Sequence, residues 1–523
     1  MFTALLVLPP VGHHLIIKSD EARYALLARD MVSRGVWFSA RVEGETYRNK
    51  PPLFPWSVAV LSRVAGGVSE TTAQLPSAMA AIACALFTFA LGERLFNRRA
   101  GVWAALILVT SASFFSHSQG ILPDMLSLAC AVGALCAFWR AVDGGGSLVG
   151  FYLGVALAVF AKGPVGLLPL LIAAVWLCSE DGLRGLTRLL SVPGIAVFVA
   201  LTLGWLLPYL AVGAQSFSEQ VVWQDWLATY LGPPLPGRVW SYTLDALVGF
   251  LPWTVLLVLA VPAAIRSRQS SAVRFALACL TAPLVVIVLS HSRLPRYLLP
   301  VYPGAALLVA WWAEAHGATR TRLGRMVGWA CFAGVLVAVA ATPRVITAVQ
   351  PDLLLDPGIV VKALPALVCA LLLALVFLVG LVTARPALLV LGGVGVTAVL
   401  IGYGAWLAND WVDRTEDFRP VAALVRRHAP DGEFRVFTRA KLLPLDFYYG
   451  RELPRLDTVE QLRDYLAKTP RATMLIDAQN LKVTPAELRD QLRTLETLRI
   501  HEQRLFVLGC GADRGSPCAA SPQ

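Results

Sequence analysis

Two adjacent acids, Asp20 and Glu21, a third acid, Asp124, and four cations, Lys50, Lys162, Arg293 and Arg296, are the residues whose types could do chemistry. A carboxylate held beside a hydroxyl can take its proton as the oxygen attacks. Arginine offers a planar fork to phosphate oxygens and lysine a point charge. The acids stand in "KSDEARYALLARD" and "GILPDMLSL", the lysines in "YRNKPPLFPW" and "AKGPVGLLPL". The arginines share "HSRLPRYLLPVYP" with His291 and Tyr297, whose hydroxyl could donate to the same phosphate. Plainer roles exist for each. An aspartate at a helix start is commonly an N-cap, which would explain Asp20 and Asp124. Pro51-Pro52 could be a rigid turn, the arginines could snorkel to headgroups, and His117 reads better as a satisfied polar residue than as a metal ligand. Individually these signals are weak; what unites them is that they fall at one level of the molecule.

That level is set by the elements around them. The chain has 523 residues, 57% hydrophobic and 15% charged, with a mean hydropathy of +0.63. Soluble proteins carry about 25% charged residues. A large cytosolic enzyme, a disordered chain, a coiled coil and a disulfide scaffold are thereby excluded. Seven of the nine cysteines lie singly inside apolar runs, without metal or redox spacing. Apolar runs give about thirteen membrane spans by the twenty-residue criterion, near 1–17, 72–92, 100–116, 124–140, 148–162, 164–179, 190–211, 243–265, 272–290, 297–315, 326–343, 359–382 and 386–408. The first is short and is interrupted by Pro9-Pro10, as a start codon placed late would leave it; a signal peptide is less favoured for want of a basic start.

Arg94, Arg98, Arg99, Arg140, Arg184, Arg188, Arg266, Arg268, Arg274, Arg320, Arg322, Arg325 and Arg385 all fall on one side of this arrangement. The positive-inside rule makes that side the cytoplasm, so much of the net charge of +11 is topological and needs no nucleic acid. The chemistry-bearing residues then sit at the outer ends of the spans, where intramembrane charge is costly and a function is the default expectation. Residues 18–71 and 212–242 become outer loops of amphipathic, tryptophan-rich character. From 409 to 523 the composition changes: short β-prone runs (434–438, 473–477, 504–508) alternate with helical patterns (420–427, 459–467, 485–495). The expected architecture is an all-α polytopic membrane domain over 1–408 and a small extramembrane α/β domain over 409–523. Cys510 and Cys518, outside the cytoplasm, could pair or stay free.

The order "DEARYALLARDMVSRGVWFSARVEGETYRNKPPLFPW", "PDM", "KGP", "LPRYLLPVYPGAALL" resembles the polyprenyl-phosphate-dependent glycosyltransferases of the GT-C fold, in particular the lipid A aminoarabinose transferase branch related to protein O-mannosyltransferases. The likeness covers nearly the whole chain, including "LDFYYGREL" in the tail. It implies an acid beside the acceptor at Asp20, a second at Asp124, donor-binding lysines at Lys50 and Lys162, and a tyrosine at Tyr297. Asn49 departs from the pattern, since the aminoarabinose enzymes usually carry an acid before Lys-Pro-Pro. A divalent metal and the identity of the sugar therefore stay open.

The implied reaction moves a sugar from a polyprenyl phosphate to an acceptor hydroxyl at the outer face of the inner membrane. Asp20 would be the base, with Glu21 and Asp124 as orienting or alternate acids. Lys50, Lys162, Arg293 and Arg296 would hold the phosphate. Lipid A or another envelope glycan would be the acceptor, with membrane lipids as surroundings. The alternative is a secondary transporter of an anionic or lipid-linked substrate. Transporters place such groups at the bilayer midplane on repeated halves, and neither feature is legible here.

Overall fold

The computed structural model describes residues 1–47, 49–211, 238–290, 294–317, 325–326, 328–330, 332–334, 357–383, 385–428, 434–439, 442–469, 472–500 and 503–510. Among these, eight helices are long and apolar enough to cross a membrane, or ten if each of two bent pairs is one span. The thirteen expected spans are therefore not all matched by single straight helices. The first is helical only from Phe2 to Val7 (α1), before Pro9 and Pro10, which cannot donate to a continuing helix. The third is two helices, Arg98–Val109 (α5) and Ala112–Ser118 (α6), bent by 68°. At that bend the hydroxyls of Thr110 and Ser111 bond the carbonyls of Leu106 and Leu108, the local competition that favours helix ends. The eighth is likewise Trp240–Gly249 followed by Thr254–Arg266, bent by 111°. Most of 326–343 and nearly all of 212–242 lie outside the described residues.

Between α1 and the long helix α4 (Glu70–Leu95) the chain makes two helices at one end of the bundle: α2 (Ser19–Arg34) and α3 (Leu53–Ala65). On α2, Ala22, Ala25, Leu26 and Met31 recur at helical spacing and are buried against Phe54 and Val58 of α3, the face that periodicity dictates. A short hairpin, β1 (Arg41–Val42) and β2 (Glu45–Thr46), joins the two. Its turn puts Glu43 and Gly44 at φ 58° and 75°, the left-handed pair that two-residue hairpins require.

The tail forms a four-stranded sheet in the order β3 (Phe434–Phe437), β4 (Thr473–Asp477), β6 (Gln503–Cys510), β5 (Leu492–Ile500). The β3–β4 pair is parallel and the other pairs antiparallel. The helical reading of 485–495 is corrected here: only Ala486–Arg489 is helical, and Leu492 opens β5. Pairing along β6 overrides the local helical pattern, because strand preference is largely a matter of neighbours. Cys510 is disulfide-bonded, and Cys518 lies outside the described residues.

A short helix, Leu443–Tyr449, ties this sheet to α2. Leu443 and Phe447 are buried in the same apolar cluster as Ile16, Ala22 and Phe54. Arg29 donates to the Phe447 carbonyl (2.9 Å), and the Ile16 N–H donates to the Tyr448 hydroxyl (3.0 Å). The motif "LDFYYGREL" is thus a docking element. Its Glu452 carboxylate accepts from the N–H groups of Glu43 and Gly44 at the hairpin turn (2.5 and 2.9 Å).

Candidate active site

Three chain segments bring their charged residues to one end of the bundle. The first is the start of α2. Its N-cap is Lys18, with no side-chain cap bond, so Asp20 does not cap the helix. Asp20 lies in the first turn, where a carboxylate is favoured by the helix dipole. Its Oδ1 accepts from Arg23 Nη1 (2.7 Å) and its Oδ2 from Arg296 Nη2 (3.4 Å). The side chain keeps 46% of its exposure, enough for a substrate hydroxyl to approach. Glu21, one residue on, turns away into the protein. It is 2% exposed, with Oε2 3.4 Å from His14 Nε2.

The second segment is the meeting of α7 (Asp124–Gly144) and α8 (Val149–Lys162). Asp124 is the first residue of one and Lys162 the last of the other. Gly163 ends α8 at φ +84°, a backbone state that a side chain would resist, and Pro164 starts a 3-10 turn leading to α9 (Leu168–Asp181). Lys162 Nζ donates to Asp124 Oδ1, and both side chains are buried. A buried pair of this kind costs about 3–5 kcal/mol when one partner alone is removed.

The third is the turn Pro295–Val301. From it Arg296 reaches Asp20, and the Tyr297 ring receives Lys162 Nζ at 4.6 Å from its centroid. Asp124, Lys162 and Arg296 line one small cavity of 30 Å³ inside the bundle. Beside it, a groove of 230 Å³ runs between Leu167 and Leu171 on one wall and Val286 and Ile287 on the other, with Tyr297 at its polar end. Leu167 and Leu171 are exposed, so this groove opens on the apolar flank of the bundle.

Of the residues expected from sequence, Asp20, Asp124, Lys162, Arg296 and Tyr297 come together. Lys50 does not line the Asp124 cavity; it is half-buried, and its carbonyl accepts from the Tyr209 hydroxyl (3.2 Å). Arg293 and His291 lie outside the described residues. His117 Nδ1 sits 2.7 Å from the Ser113 carbonyl, a satisfied polar group as expected. Among the described residues no group of three His, Cys, Asp or Glu could hold a metal ion, and Asn49 lines a solvent-facing cavity. Two partners escaped the sequence reading. Arg23 was legible in principle, lying three residues after Asp20 on the same helix face. His14 sits in irregular chain, where no periodicity points at Glu21.

Residues 49–208 match the family model described as dolichyl-phosphate-mannose-protein mannosyltransferase. An undecaprenyl phosphate-α-4-amino-4-deoxy-L-arabinose arabinosyl transferase of Sodalis glossinidius is 28% identical over 60% of this chain. The match spans 58% of that relative's length. A Pseudomonas fluorescens protein of the same description is 29% identical over 64% of this chain and 62% of its own. The crystal structure of ArnT from Cupriavidus metallidurans bound to undecaprenyl phosphate superposes with a TM-score of 0.75 at 20% identity, covering 100% of this chain and 98% of that one. The chain thus resembles aminoarabinose transferases in sequence over about three fifths of its length and shares the fold of the Cupriavidus protein. Its described apolar helices make it a multi-pass membrane protein.

Proposed function

We propose that this chain is an integral membrane glycosyltransferase that moves a sugar from a polyprenyl phosphate to an acceptor hydroxyl at the outer face of the cytoplasmic membrane. One observation carries the reading: Arg296 bonds the exposed Asp20 carboxylate while lining the cavity that holds Lys162 and Asp124. A base and phosphate-binding cations thus share one guanidinium. The acceptor hydroxyl attacks the sugar's anomeric carbon and gives its proton to Asp20, and the bond from that carbon to the phosphate oxygen breaks. The electron pair leaves with the phosphate, whose growing charge Arg296 and Lys162 stabilise. Tyr297 donates to a phosphate oxygen. Asp124 holds the Lys162 ammonium in place.

The groove between Leu167 and Ile287 supports a lipid-linked donor, since an isoprenoid chain entering from the bilayer would lie along its apolar walls. The named activity of the relatives and the undecaprenyl phosphate of the Cupriavidus structure point the same way. Lipid A or another envelope glycan is the acceptor in this reading. The tail from residue 409 forms a small α/β domain on the outer side, and the arginine-bearing loops face the cytoplasm. Transfer of radiolabelled sugar from a polyprenyl phosphate by the purified chain in nanodiscs tests the proposal. Movement of the intact substrate across sealed vesicles, without breakage of its glycosyl bond, would replace it with the transporter.

A further inference from the structure

The first turn of α2 carries Asp20 but has no side-chain cap. Of the two partners of Asp20, Arg23 belongs to the same helix and turns with it, and Arg296 is the guanidinium that the donor phosphate would claim. A separate polar tie runs from the next residue: the Glu21 carboxylate, 2% exposed, reaches His14. His14 is itself well anchored. Its carbonyl accepts from Gln74 Nε2 of α4 (2.7 Å), and the Gly12 N–H donates to Gln74 Oε1 (2.8 Å). Two residues later, the Ile16 N–H donates to the Tyr448 hydroxyl of the tail. The His14 ring lies between two oxygens, Glu21 Oε2 at Nε2 and Asn409 Oδ1 of the helix Pro386–Thr415 at Nδ1, each at 3.4 Å. A ring with an oxygen at each nitrogen bonds both only when both nitrogens carry protons, that is, as the imidazolium. Its charge then matches the buried Glu21 carboxylate, whose ion pair among the described residues is with His14.

We propose that His14 is a positioning residue for Asp20: as an imidazolium it keeps Glu21 inside the protein, and with it the rotation of α2 that presents Asp20 to Arg296. The inference rests on the glycosyl-transfer reading above and adds a proton switch to its site. When the ring gives up its proton, Glu21 becomes an unmatched buried carboxylate, a state costly enough to drive it toward water. One residue is about 100° of helix rotation, so Glu21 cannot come out without turning Asp20 away. The charged groups acting on the ring are Glu21 and Lys18, the N-cap of α2. Lys18 is exposed and does not replace the imidazolium inside the protein. The other two helices face the His14 segment with neutral groups, Gln74 and Asn409.

Turnover of a polyprenyl-phosphate sugar by the full chain in nanodiscs, followed from about pH 6 to 8.5, where histidine gives up its proton, tests the assignment. Wild type should lose kcat toward the alkaline end, with the donor's KM unchanged because Arg296 and Lys162 stay in place. His14→Gln should be slow at every pH, by roughly 100-fold, the scale set by a misplaced reacting group. His14→Arg keeps a cation opposite Glu21 at every pH and should restore turnover without the alkaline loss. Should His14→Gln fail to fold, His14→Arg carries the comparison. An alkaline loss that persists in His14→Arg, or wild-type kcat in His14→Gln, overturns the proposal. Solid-state NMR of isotope-labelled histidine reads the ring without any turnover, the His14 signal being the one that His14→Arg removes. Both ring nitrogens should be protonated at about pH 6, and Glu21→Gln should leave the ring neutral there. A neutral ring in wild type at that pH overturns the inference even where transfer is found, whereas absence of transfer beside a protonated His14 counts against the reaction alone.

Discussion

Arg296 spans 276 residues of sequence to put Nη2 3.4 Å from Asp20 Oδ2, and it does so from the rim of the cavity that encloses the Lys162–Asp124 pair. One guanidinium thus faces both an accessible carboxylate and the small cavity beside Lys162. The ordinary account of an exposed arginine at a membrane edge, snorkelling to headgroups, does not require a carboxylate at that position.

Replacing Arg296 should therefore affect the donor. Arg296→Ala is expected to raise the KM for the polyprenyl-phosphate sugar and to lower kcat by roughly 100-fold, the scale set by removing one transition-state donor. Arg296→Lys should recover part of the loss, since it keeps the charge without the fork. Steady-state kinetics in nanodiscs decide; wild-type values in both variants would make Arg296 a headgroup anchor.

Asp20→Asn keeps the shape of the side chain and most of its bonds but cannot take a proton. Turnover should fall about 100- to 10,000-fold, while the loss of a first-turn charge costs only about 0.3–1 kcal/mol of helix stability. Near-normal turnover at equal protein level would remove the base from the mechanism.

The Lys162–Asp124 pair can be tested by a double-mutant cycle. Lys162→Met and Asp124→Asn singly should each destabilise by about 3–5 kcal/mol, because each leaves a buried charge unmatched. The double variant should recover much of that stability and none of the transfer. Thermal unfolding and activity measured together give the split; recovery of activity in the double variant would assign the pair to structure alone.

Asp446 supplies a pH dependence outside the membrane. Burial raises its carboxyl to about 6, against the lowering effects of the Leu453 N–H and Arg455. A value above the ordinary 3.8 means that the folded state holds the proton more tightly than the unfolded one. The resulting stability is full below about pH 4 and is lost as pH rises through about 6, on the order of 3 kcal/mol in all. Melting of the tail signal between pH 4 and 7.5 should show this decline, and Asp446→Asn should flatten it.

A topology reporter fused after Gly450 is expected to be active only outside the cytoplasm, given the arginine-bearing loops on the other side. Cytoplasmic activity of that fusion would invert the arrangement.

How far the sequence carried depended on what kind of fact was asked of it. Asp124, Lys162 and Arg296 were legible as a group because charge beside apolar runs is costly wherever it occurs. That Lys162 bonds Asp124 was not legible, since it depends on how two helices are rotated against each other. Asp20 and Glu21 looked equivalent, yet one residue turns a helix by about 100°, which sends the first to Arg296 and the second to His14. In the tail, β3, β4 and β6 fell where β-prone runs ended in turn residues. The strand β5 was hidden, because Leu492–Ile500 is a strand by virtue of its partner. The helix Leu443–Tyr449 was missed for its brevity: seven residues give too little periodicity to read.

The clasp between α2 and the tail has a consequence for biosynthesis. Arg29 and Ile16 bond Phe447 and Tyr448, partners that follow them by 418 and 432 residues. A ribosome must therefore deliver nearly every span, and then the clasp itself, before the helix bearing Asp20 has its full set of neighbours. Until then α2 lacks the contacts that seat it against the tail. The helix bearing Asp20 thus takes its final place among the last events of the chain's assembly.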